Sequence, residues 1–106
     1  MDLSINEGVL VVVGGVGDSP RSAIFIKRAP RGTSAVDAED MYLTQRFGRH
    51  GRGWTLATRE LVHDHGRAYD RLRIVLAGGS ERTLYFDVTD WLARAESQFS
   101  GTHERS

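Results

Sequence analysis

The sequence predicts an α+β domain of two layers: an antiparallel meander sheet of about five strands packed with one main helix, in the order ββαβββα. Three observations predict it. Short β-branched or alternating runs are separated by glycine-rich turns. One stretch, residues 34–48, has helical spacing with start and stop signals at its two ends. The runs that follow it are joined by turns of a few residues, which make neighbours antiparallel.

The first run is Gly8-Val9-Leu10-Val11-Val12-Val13-Gly14. It carries no charge, so it reads as a strand buried on both faces. GGVGDSP, residues 14–20, is a turn cluster. SAIFIK, residues 22–27, is a second strand, placed to form a hairpin with the first. A dinucleotide fingerprint is excluded here. Gly15-x-Gly17 is followed by Pro20 where the motif needs Gly or Ala, and by strand-forming residues where it needs a helix.

RAPRGT, residues 28–33, is a loop. Ser34 is a helix N-cap, and Asp37 three residues on gives a variant of the capping box. Asp37, Glu39 and Asp40 occupy the first turns, where the helix dipole favours negative charge. Val36, Asp40, Leu43 and Phe47 share helical spacing, with Met41 and Tyr42 on the adjoining stripe, and the apolar members are expected to face the sheet. Arg46 lies in the last turn and Gly48 ends the helix.

From Trp54 the period becomes two. Trp54, Leu56, Thr58, Glu60 and Val62 are expected on one face, and Thr55, Ala57, Arg59, Leu61 and His63 on the other. The alternation lapses near Leu61-Val62, which predicts a bulge there. Asp64-His65-Gly66-Arg67 is a hairpin turn in which Gly66 takes positive φ. In the next strand Leu72, Ile74 and Leu76 point inward and Arg71, Arg73 and Val75 outward. A second turn at Gly78–Glu81 leads to a last strand, with Leu84, Phe86 and Val88 inward and Thr83, Tyr85 and Asp87 outward. Thr89 or Asp90 caps a terminal helix from Trp91 to Ser97. One domain over residues 1–97 and a frayed tail over 98–106 are expected. Leu72, Ile74, Leu76, Leu84 and Phe86 should form the core with Leu43 and Phe47.

Composition narrows function. At 106 residues the chain is one ordinary globular domain, 40% hydrophobic and 26% charged. With no cysteine, disulfides, thiolate zinc sites and cysteine nucleophiles are excluded. Residues 1–8 carry neither the basic nor the apolar region of a signal peptide, and no apolar run is long enough to span a bilayer, so a cytoplasmic protein off the membrane is expected. The net charge is zero, whereas nucleic-acid binders are commonly basic. The charge is unevenly spread, with seven arginines between Arg46 and Arg73.

The leading expectation is a non-enzymatic interaction module without a cofactor, bound to a protein partner or to itself. The apolar GVLVVVG run, if at a sheet edge, is a template for another strand. The alternative is single-stranded RNA or DNA binding through Arg49, Arg52, Arg59, Arg71, Arg73, Trp54 and Tyr85, arginines meeting phosphates and rings stacking on bases. A second alternative is a small metal-dependent hydrolase using His63 and His65, with His50 or an acid as third ligand. Asp87 and Asp90 beside Tyr85 read as a strand residue and a helix cap, and no G-x-S-x-G elbow surrounds a serine.

Overall fold

The computed structural model describes residues 10–94. Along the chain run β1 (Val11–Gly14), a short 3-10 helix (Pro20–Ser22), β2 (Ile24–Arg28), α1 (Ala35–Phe47), β3 (Trp54–Asp64), β4 (Arg67–Leu76) and β5 (Glu81–Asp87). Helical backbone resumes over 89–94. The remainder of the predicted terminal helix, the tail over 98–106 and the first residues of the GVLVVVG run lie outside the described residues.

Local chemistry sets most boundaries. Ser34 Oγ accepts the Asp37 N–H at 3.1 Å and so caps α1. Gly48 closes it at φ +108, its N–H donating to the Thr44 carbonyl at 3.0 Å. His65 and Gly66 both take positive φ, the geometry of a tight two-residue hairpin turn. The β4–β5 turn closes through Leu76 N–H to Ser80 O and Gly79 N–H to Leu76 O, each 2.8 Å.

The five strands form one sheet in the order β1-β2-β5-β4-β3. β3, β4 and β5 are the expected antiparallel meander, and β1 pairs antiparallel with β2. Two expectations need correction. The sheet is mixed, because β2 and β5 run parallel with Ile24 beside Phe86. The element order also departs from ββαβββα, since a 3-10 helix opens at Pro20 inside the first connection. The parallel pair has a physical source. The chain leaves β2 through a helix, and only after the long β3–β4 hairpin does β5 fill the place beside β2. Just before β2 begins, Gly17 continues the pairing: its carbonyl accepts the Tyr85 N–H at 2.7 Å.

β1 is a sheet edge of four residues, not a strand buried on both faces. Val13 is 45% exposed. The helix stripe is also rotated from expectation. Ala38, Glu39 and Leu43 are buried, while Val36 is exposed. Ala35, Tyr42 and Phe47 pack around the core, and Tyr42 meets Phe86 edge-on at 5.4 Å.

The core lies between α1 and one face of the sheet. Leu43, Leu72, Ile74, Leu84 and Phe86 are buried as expected, with Leu76 and Phe47 half-buried at its margin. Ile24, Ile26, Ala38, Trp54, Ala68 and Val88 complete it.

Candidate functional site

The bulge in β3 decides which residues the sheet presents on each side. The register shifts between Leu56 and Thr58, not at Leu61-Val62 as the alternation suggested. One extra residue there exchanges the faces of everything after it. Trp54 and Leu56 lie opposite Leu76 and Ile74, on the helix side. Beyond the bulge Arg59 lies opposite Leu72, so Arg59, Leu61 and His63 take the helix side. Thr58, Glu60, Val62 and Asp64 take the other. Arg59 therefore does not share a face with Arg71, Arg73, Tyr85 and Asp87, contrary to the sequence reading.

Under the helix, Arg59 meets acids. Its Nε lies 3.1 Å from Glu39 Oε1 and its Nη2 3.2 Å from Asp40 Oδ1. Glu39 is 1% exposed and its Oε2 has no hydrogen-bond partner. Burial pushes its pKa up to about 9, the neighbouring Asp70 adds to the rise, and Arg59 opposes it. Glu39 thus holds its proton at neutral pH. Helical spacing carried a signal for this group. Glu39 sits four residues from both Ala35 and Leu43, inside the buried stripe.

The opposite face is open and built in rows across three strands. Thr58, Arg73 and Thr83 form one row; Glu60, Arg71 and Tyr85 form the next. These six line a shallow depression of about 420 Å³. Arg71 Nη2 donates to Glu60 Oε2 at 2.7 Å, and the Tyr85 hydroxyl with Glu60 raises the arginine pKa further above its ordinary value. One row on, Tyr69 and Tyr85 pack edge-on at 6.5 Å. Arg67 pairs with Asp87 at 2.7 Å. Burial pushes the Asp87 carboxyl up, but hydrogen bonds from Arg67 and Thr89 outweigh that and hold it below the usual range.

The Arg/Gly stretch after α1 is a hydrogen-bonded turn. Arg52 and Gly53 N–H groups donate to the Arg49 carbonyl at 2.9 and 2.7 Å, and Gly51 N–H donates to Trp54 O at 2.7 Å. Gly53 is required by close approach, because a Cβ there would collide with the Phe47 carbonyl oxygen. Arg49 and Arg52 point into solvent and have no carboxylate partner among the described residues. Trp54 is 2% exposed, with the His50 ring 4.5 Å away, so its ring is enclosed in the core rather than offered to a base.

The basic set is therefore divided. Arg59 is under the helix, Arg71 and Arg73 are on the open face, and Arg49 and Arg52 are at the turn. His63 and His65 sit at the far end of β3 from His50. His65 occupies the hairpin turn, 3.0 Å from Asp64. Among the described residues no three His, Asp or Glu side chains converge as metal ligands. No helix among them is long and apolar enough to cross a membrane.

One crevice gathers residues that the sequence reading placed in no candidate binding set, apart from Asp90, read there as a helix cap. It opens beyond the ends of β2 and β5 and is lined by Lys27, Arg28, Arg31, Asp90, Trp91 and Arg94, among others. No family model matches the chain, and no curated protein and no solved structure matches it.

Proposed function

We propose that the protein is a non-enzymatic interaction module whose first partner is a second copy of the chain, paired along β3. The observation that carries this reading is the edge itself. Among the described residues β3 is the outermost strand on its side of the sheet, eleven residues long, and it holds the exposed Leu56 and Leu61, the latter 47% exposed. Such an edge leaves a row of backbone donors and acceptors for another strand. β1, the other edge, is four residues long and offers a shorter template. An antiparallel β3–β3 contact about a two-fold axis would satisfy both copies at once.

Sedimentation velocity from low to high micromolar concentration tests this. A dimer is expected, and Leu61→Lys should return it to monomer while leaving the circular dichroism unchanged, because Leu61 lies outside the core. A chain that stays monomeric throughout that range sinks the self-association.

The nucleic-acid alternative retains Arg49, Arg52 and Arg73, which have no carboxylate partner among the described residues. Arg59, Arg67 and Arg71 are already engaged by acids, and Trp54 is closed to stacking. Salt-sensitive binding of labelled single-stranded RNA, lost in Arg49→Ala/Arg52→Ala, would favour it over the first reading.

A further inference from the structure

We propose that the crevice beyond the C-terminal ends of β2 and β5 is a binding site for a phosphoryl group. The position follows from topology. β2 and β5 are the parallel neighbours in the sheet. Each is followed by helix, α1 after β2 and the segment 89–94 after β5. Both strands end there and the chain departs into a loop after β2 and into the 89–94 segment after β5, which leaves space between the two departing segments. The crevice here is lined by residues from both: Arg31 from the loop after β2, and Asp90, Trp91 and Arg94 from the segment after β5.

The lining gives the chemistry. Lys27, Arg28, Arg31 and Arg94 bring four cations and Asp90 one carboxylate, in a chain whose net charge is zero. Among the described residues none of the four cations forms an ion pair. Arg94 is held over the Trp91 ring, its guanidinium carbon 5.5 Å from the ring centre. That contact keeps the guanidinium beside the ring and leaves its N–H groups to donate. Arginine forks suit tetrahedral oxyanions, and the excess of positive charge favours a dianion over a single carboxylate. The crevice holds about 220 Å³. That is below the roughly 300–1,000 Å³ of pockets that engulf whole small molecules. It therefore takes the phosphoryl group of a ligand whose remainder stays outside.

The phosphoryl group has two sources, a small phosphorylated molecule or a nucleic-acid backbone, and the test separates them. The full chain is titrated with inorganic phosphate, pyrophosphate, a single-stranded DNA oligonucleotide and acetate, followed by amide resonances and tryptophan fluorescence. Saturable shifts at Gly32, Thr33 and Trp91 are expected with phosphate and pyrophosphate, and weak unsaturated shifts with acetate. Arg31→Ala and Arg94→Ala should each weaken phosphate binding by about tenfold. Arg21→Ala, in the 3-10 helix before β2 and away from the crevice, should leave it unchanged. Oligonucleotide binding that is tighter than phosphate binding and falls in the same two variants assigns the source to nucleic acid; phosphate binding alone assigns it to a small molecule. No saturable phosphate binding, equal response to acetate, or unchanged affinity in both crevice variants overturns the site.

Discussion

Arg59 and Arg71 stand on neighbouring strands and each pairs with a glutamate, yet they belong to opposite sides of the sheet. The Arg71–Glu60 contact is the shorter, 2.7 Å against 3.1 Å for Arg59–Glu39. Distance alone would rank it first. Burial reverses the ranking. The Glu60 side chain is 54% exposed and the Glu39 side chain 1% exposed. An exposed pair gives up little hydration and gains little, and salt screens what it gains. A buried carboxyl stripped of its arginine loses a hydrogen-bond donor that solvent does not replace. The same chemistry is thus structural beneath the helix and exchangeable on the open face. A single inserted residue near Ala57 put the two arginines on different sides.

The largest expected effect tests the core on which that distinction rests. Ile74→Ala removes a side chain buried between β3, β5 and the helix layer, and should cost about 2–5 kcal/mol in urea unfolding. A loss below about 0.5 kcal/mol would mean that the helix side is not the core. Next comes Arg59→Ala, expected to cost about 2 kcal/mol, because the Glu39 carboxyl and Asp40 then lose the guanidinium that donates to them. A neutral result would place Arg59 with the exchangeable arginines and erase the contrast with Arg71.

The buried acid also gives the pH dependence a sign. The Glu39 pKa is raised from 4.5 to about 9 in the folded state. Between those values the folded chain keeps a proton that the unfolded chain has released. Stability from this group is therefore complete below pH 4.5 and declines as pH rises toward 9. Asp87 acts in the opposite sense: its pKa is lowered, so its contribution is lost as pH falls below the carboxylate range. Glu39→Gln should flatten the decline between pH 5 and pH 9. Across that interval the native chain should lose at least about 4 °C more in Tm than the variant, the shift that 1 kcal/mol gives in a domain of this size. Parallel curves would show that Glu39 is ionised in the fold.

Much of the architecture was legible because it is written locally. The Ser34 cap, the Gly48 stop, the His65-Gly66 turn and the period-two runs of β4 and β5 each depend on a few adjacent residues. The inward set Leu72, Ile74, Leu84 and Phe86 followed from alternation alone. What was not legible depends on distant partners. The parallel pairing of β2 with β5 joins residues far apart in sequence, and no local signal distinguishes it from an antiparallel edge. The bulge was expected at Leu61-Val62, where two apolar residues adjoin, but it sits in LATR, where nothing in the pattern marks it. That misplacement moved Arg59 to the wrong face and hid the Glu39 cluster. The cationic crevice was invisible for the same reason: Lys27, Arg28 and Arg31 are distant from Arg94 until the parallel pair brings them together.

The smallest effect sharpens the comparison most. Arg71→Ala, Glu60→Ala and the double variant should leave the unfolding midpoint unchanged within error, and their coupling should vanish at high salt. Measured at low protein concentration, this isolates the pair in water. At high concentration the outcome bears on the proposed pairing along β3, because Glu60 lies on that strand. Joining two sheets there would shield the Arg71–Glu60 row and reduce its screening. A coupling that appears only as the chain self-associates would show that the open-face pair acquires, in the assembly, the burial that Arg59 and Glu39 have within one chain. A coupling absent at every concentration, in a chain that nonetheless dimerises, would move the contact away from β3 and toward the shorter edge at β1.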